Sequence, residues 1–216
     1  MTKKKGVLLG ALAVFALALL YVLYRFNYLP HRKYTNADFG ITPYISAVDK
    51  DGDGVDDQTD ILQSAWEYLA TKPKYKSKYY GTGYPNDEYG VCTDVVAFGL
   101  RGAGYDLMLL VDADVHAHRE QYGIEDVDKN IDFRRVSNLR IYFKNNATAL
   151  TTDLGQIDQW QGGDIVIFTG HIGIVSDKRN GRGVPFVIHH AHPYQRYYEE
   201  DILEGRDDIV GHYRVS

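Results

Sequence analysis

Between Gly6 and Tyr24 the chain reads GVLLGALAVFALALLYVLY without one charged residue, directly after Lys3-Lys4-Lys5. A helix of about 20 apolar residues crosses the hydrocarbon core of a bilayer, so this segment decides where the remainder can fold. A buried helix of a soluble protein would need packing partners on every face. A cleavable secretory signal is the nearer alternative, with Ala16-Leu17-Ala18 as its small-residue site. The apolar run, however, continues through Leu19 to Tyr24, where cleaved signals turn polar, and this favours an uncleaved anchor. Three lysines ahead of the helix hold residues 1–5 in the cytoplasm as a basic tip and direct the chain beyond the anchor outward.

Composition agrees with an exported globular domain. The chain has 24 bases and 29 acids. Lys3, Lys4, Lys5 and Arg25 fall in the first 26 residues, where there is no acid, leaving 20 bases against 29 acids downstream. Such an acidic body argues against nucleic acid as a partner. With 44% hydrophobic residues the chain can build a core, and with a single cysteine it must do so without an internal disulfide. Residues 25–37 lack apolar periodicity and contain Pro30, as a juxtamembrane tether would, and the folded domain is expected over 38–216.

The first strong feature of that domain is DKDGDGVDDQTD, residues 49–60. It sets Asp49, Asp51, Asp53, Asp57 and Asp60 at positions 1, 3, 5, 9 and 12 of a calcium loop, with Gly54 at position 6 and the Val55 carbonyl at position 7. Alternate residues converge inside a tight turn, and a hard cation takes six to eight oxygens. Without a cation so many aspartates would repel one another. The loop has Asp60 where an EF-hand usually has Glu, and it follows Ile41-Thr42-Pro43-Tyr44-Ile45, which reads as extended. In both respects it resembles the loops of extracellular dockerin-type and thrombospondin-type repeats. Ile61, Leu62, Ala65, Trp66 and Leu69 then share one helical face. An ion there would pin the start of that helix, a structural rather than a sensing role.

Residues 79–90 form a loop rich in Gly, Pro, Asn and Asp, which ends at Cys92. Val91, Val95, Phe98 and Ala103 mark the inward face of a helix ending at Gly104. Cys92 in its first turn would meet unpaired N–H groups and the positive end of the dipole, which favour a thiolate nucleophile. An inert cysteine filling the core is the other reading. A thiolate also needs an imidazole. His31 lies in the tether, His116 and His118 in a charged segment, His192 in a turn and His212 near the C-terminus, leaving His171 and His189 or His190. Residues 163–168, 171–175 and 184–190 read as three antiparallel strands, with His171, Gly173 and Val175 on one face. Val187 and His189 share a face opposite to Ile188 and His190.

The motifs that carry a resemblance are Gly83-Tyr84-Pro85, GVCTDVV from Gly90 to Val96, DKNIDFRRVSNL from Asp128 to Leu139, WQGGDIV from Trp160 to Val166, HIGIVSD from His171 to Asp177, and Gly211-His212-Tyr213. In this order they are similar to the NlpC/P60 papain-like cysteine hydrolases and, more narrowly, to the bacterial DUF1287 family. The resemblance implies Cys92 as nucleophile, His171 as general base and acid, and His189 as the group orienting His171. Two departures stand out. His190 follows His189 directly, where relatives tend to carry an amide residue or Ala, so the register could shift the third role to His190. Thr93-Asp94 follows the nucleophile where many relatives have Ser; Asp94 either opposes the dipole or faces away to cap the helix. Asp132, Arg134 and Arg135 form either a clamp for a substrate carboxylate or a solvated, salt-bridged turn.

The expectation is an α+β, papain-like domain that carries structural calcium and is held outside the cytoplasmic membrane by a single-pass anchor. It would cleave amide bonds in peptidoglycan stem peptides through a thioester. A catalytically silent wall-binding module and a Cys–His acyltransferase are the alternatives.

Overall fold

The computed structural model describes residues 2–216, with side chains from Lys5 onward. Met1 and the side chains of residues 2–4, part of the expected basic tip, lie outside the described residues. The chain forms two compact units that divide between Arg32 and Lys33. The first contains helix α1 (Thr2–Arg25). Its stretch Lys5–Arg25 is long and apolar enough to span a membrane, and no part of that apolar window is covered. Asn27, at a φ of 58°, terminates it in the left-handed conformation that ends many helices.

The second unit starts at Lys33, earlier than the start expected at Asp38. Tyr34 and Arg179 exchange backbone hydrogen bonds of 2.9 and 2.8 Å. The buried Asn36 accepts from Arg179 Nε at 2.5 Å and donates to Gln161 at 3.1 Å. These contacts tie residues 34–36 to the domain, so the tether expected over 25–37 ends at Arg32.

Helices α2 (Asp57–Ala70), α3 (Cys92–Gly102), α4 (Leu107–Ala117), α5 (Arg119–Tyr122), α6 (Lys129–Asp132) and α7 (Val136–Asn146) precede most of the sheet. Two short strands, β1 (Lys74–Tyr75) and β2 (Tyr89–Gly90), pair in parallel and bring Tyr75 opposite Gly90, just ahead of α3. The main sheet has six antiparallel strands. They are β3 (Thr148–Ala149), β4 (Ile165–Phe168), β5 (His171–Arg179), β6 (Pro185–Ile188), β7 (Glu199–Glu200) and β8 (Ile209–Arg214), in the order β3-β8-β4-β5-β6-β7. The fold class is α+β, as expected.

The uniformly apolar β4 is explained by burial on both faces. Ile165 and Ile167 join the helix-side core with Val95, Leu100, Ile172 and Ile174. Val166 and Phe168 join a second cluster with Trp160, Val175, Val187 and Leu203. Successive strand residues point to opposite faces, so four consecutive apolar side chains serve two cores.

Candidate active site

The nucleophile candidate is placed by α3. Cys92 occupies the first turn, half-buried, with the backbone N–H groups of Ile172 on β5 and of Thr93 near enough to favour its thiolate. Ile172 directly follows His171, so α3 meets β5 one residue from the expected base. Tyr75 also lies beside the thiol, close enough for the charge of Cys92 to act on it. Burial pushes the Cys92 thiol up to about 11; the N–H groups of Ile172 and Thr93 work against this and the charge of Asp94 reinforces it. The direction is opposite to that expected from the helix N-terminus alone, because removal from water outweighs the local dipole.

The two histidines are brought together by β5 and β6. These strands pair Ile174 with Ile188 and Val175 with Val187. Continuing that register sets Gly173 across from His189, and His171 becomes a diagonal neighbour on the same face. His171 Nε2 and His189 Nδ1 are 2.8 Å apart. A Cβ at position 173 would approach Val187 Cγ1 to 2.5 Å and the Ile188 carbonyl to 2.9 Å. Glycine there is what lets the end of β6 close on β5.

Beyond His189 stands Glu200 on β7, with Oε2 at 3.2 Å from His189 Nε2. Its carboxylate accepts only, so it fixes the ring tautomers in turn. His189 carries its proton on Nε2 and accepts on Nδ1, and His171 donates from Nε2, which leaves the lone pair of His171 on Nδ1. Burial pushes both imidazoles well below their ordinary range, with the positive charge of Arg206 acting in the same direction. At neutral pH the thiol and both rings are uncharged. His190, the alternative third member, packs against two tyrosines. Its ring sits between Tyr75 and Tyr198, each 5.2 Å away in an edge-to-face arrangement, and its buried Nδ1 has no hydrogen-bond partner among the described residues.

The two charged features in doubt form one structure. Asp94 accepts from the Val91 N–H at 2.8 Å, capping α3, and pairs with Arg134 through Nε (2.6 Å) and Nη2 (2.9 Å). Arg134 Nη1 donates to the Lys78 carbonyl at 2.6 Å, and its side chain is 1% exposed. Arg134 is therefore unavailable as the substrate clamp considered above; it locks α3 to the segment before α7. Asp132 accepts from the Asp128 N–H at 2.8 Å and lies 3.5 Å from the half-exposed Arg135.

Asp164 and His212, neither assigned a role from the sequence, form the hub of the second unit. Fully buried, Asp164 accepts from Arg214 (2.7 and 2.8 Å), Gln58 (2.8 Å) and the Gln161 N–H (2.9 Å), and lies 2.9 Å from His212 Nε2. Trp160 stacks on His212 at 3.8 Å. The Gly-Asp and Gly-His-Tyr motifs thus hold β4, β8 and α2 together.

In the acidic loop, Asp49, Asp51 and Asp53 are exposed and bring carboxylate oxygens within 4.8 Å of one another. The Val55 N–H donates to Asp53 at 2.8 Å. Asp60 is buried. Asp57, expected among the ligands, instead turns inward, where its oxygens accept from the Lys50 N–H at 2.8 Å and from the Tyr105 hydroxyl.

A cavity of about 780 Å³, lined by Tyr44, Trp66, Gln161, Asp177 and Glu199 among others, opens near the opposite end of β5. Asp177 is six residues from His171, roughly 20 Å along the strand, so this cavity is separate from the thiol.

Residues 62–215 match the family described as a domain of unknown function, DUF1287. The chain belongs to the DUF1287 family. The matched region contains Cys92, His171, His189, Glu200, and Asp164 with His212 and Arg214, whereas α1, the acidic loop and Gln58 precede it. The uncharacterized protein YijF of Escherichia coli (strain K12) is 37% identical over 151 residues, which cover 66% of this chain and 72% of that protein. No solved structure matches the chain.

Proposed function

We propose that this DUF1287 protein is a membrane-anchored, extracytoplasmic cysteine hydrolase of papain-like, NlpC/P60 type that cleaves amide bonds in peptidoglycan stem peptides. The observation that carries the reading is the bond of 2.8 Å between His171 and His189, with the Cys92 thiol near the backbone of Ile172, the residue that follows His171. In this reaction His171 Nδ1 takes the Cys92 proton as sulfur attacks the carbonyl carbon. The proton then passes to the leaving amine as the carbon–nitrogen bond breaks, giving a thioester. Water, deprotonated by the same nitrogen, releases the acid and restores the thiol. Because the resting groups are neutral, His171 works as a general base during attack, with no standing ion pair. The outward orientation rests on the three lysines before α1, and the substrate on the position such an orientation would give the domain beside the cell wall.

The raised thiol favours a second reading, a catalytically silent wall-binding module. The two are separated by incubating the purified chain with a synthetic stem peptide and following both amine release and the mass of the Cys92 peptide. Turnover with a trapped acyl group on Cys92 supports the hydrolase. Binding with neither product nor adduct supports the silent module.

A further inference from the structure

The acidic loop ahead of α2 takes no part in the chemistry proposed above. It turns through Gly52 and Gly54, at φ of 77° and 96°, a conformation open to glycine at little cost. Three exposed carboxylates converge there, those of Asp49, Asp51 and Asp53. A second observation comes from α2. Asp60 in its first turn is 7% exposed, and its buried Oδ2 has no hydrogen-bond partner among the described residues. Asp60 stands at position 12 of the loop that begins at Asp49, the place from which such a loop closes on its ion. Buried carboxylate oxygens ordinarily find a donor or a cation, and here the surrounding groups are further carboxylates.

We propose that Asp49, Asp51, Asp53 and Asp60, together with the Val55 carbonyl, bind one calcium ion. An all-oxygen, flexible ring of anionic ligands suits calcium, whereas magnesium demands a tighter octahedron and keeps its water. Asp57 is not a ligand: unlike the exposed Asp49, Asp51 and Asp53 it is fully buried and turns inward to the Lys50 N–H and the Tyr105 hydroxyl. The ion acts as a brace. Gly104, in the turn that ends α3, lies so close to the loop that a Cβ there would come within 3.1 Å of Asp51 Cβ. Bound calcium therefore holds the first turn of α2 and the far end of the helix that carries Cys92, away from the thiol itself.

The test is calorimetric titration of the full chain in detergent micelles with calcium chloride, paired with melting curves in calcium and in chelator. Extracellular calcium modules bind with Kd of about 10⁻⁴–10⁻³ M, and binding in that range with a raised melting temperature is expected here. Asp60→Asn should weaken binding about tenfold or more, since ligand charge sets affinity in such loops. Neither heat nor a melting shift up to about 10 mM calcium, tenfold above the weakest such sites, would overturn the proposal, as would undiminished affinity in Asp60→Asn. If that variant does not fold, Asp51→Asn on the exposed rim decides. A similar loss supports the site and unchanged affinity overturns it. No readout depends on hydrolysis, so the ion can stand or fall independently of the enzyme.

Discussion

His171 and His189 touch although they are not cross-strand partners: Nε2 of the first lies 2.8 Å from Nδ1 of the second, across a position where β5 carries Gly173. The contact is diagonal, and it depends on the side chain that Gly173 lacks. Gly173→Ala should therefore cost about 1–3 kcal/mol of stability as an overpacking change and lower activity by separating the rings. Gly170→Ala is the control, because a Cβ there meets nothing within 4 Å. Chemical denaturation of both variants checks the pair; equal stability would mean that β6 simply moves aside.

The thiol should behave as a buried, neutral group. With Cys92 pushed up to about 11, its alkylation by iodoacetamide should show a midpoint well above the free-thiol value of about 8.5. His171→Ala should leave that midpoint in place, since an uncharged imidazole lends no electrostatic support. A midpoint below the free value would instead reveal a thiolate–imidazolium pair. The raised thiol also contributes to stability, fully below the unfolded value of about 8.5 and progressively less as pH rises toward about 11.

Cys92→Ala should fold and form no thioester. His171→Ala should lose on the order of 10²–10⁴ in turnover, the usual range for a positioned acid–base group. Glu200→Ala should lose less, and Glu200→Gln should recover part of it, because an amide oxygen can still accept from His189 Nε2. Equal activity in Gln and Ala variants would dismiss the tautomer argument. All four are read by amine release from a stem peptide.

Arg134→Met leaves Asp94 buried without its cation, and breaking such a pair costs about 3–5 kcal/mol. Urea denaturation should show that loss. A substrate clamp would behave differently, with KM raised and stability unchanged.

Protease added to intact cells should degrade the domain from Lys33 onward and spare the segment ahead of α1. Complete protection of the domain would place it in the cytoplasm and remove the cell wall as its substrate.

Much of this arrangement was legible in local patterns of residues. The helix bearing Cys92 follows from Val91, Val95 and Phe98 at helical spacing, and β4 and β5 from their apolar runs. What stayed hidden depends on partners distant in the chain. Glu200 is the middle of three consecutive acids, Glu199-Glu200-Asp201, and only the pairing of β7 with β6 brings it to His189. His212 looked peripheral by position, yet it is 1% exposed beside Asp164. The balance between dipole and burial at Cys92 was also out of reach, because how deeply α3 seats on β5 is set by packing rather than by local spacing.

Strand β8 lies inside the sheet, between β3 and β4, and supplies His212 and Arg214 to Asp164. During synthesis β3, β4 and β5 all appear before β8, and one edge of β4 stays open until residues 209–214 follow. Pairings so distant in sequence form late and leave edges exposed to misassembly. If the domain is exported as proposed, maturation must follow export: the domain would close around its hub only once its final strand had crossed the membrane.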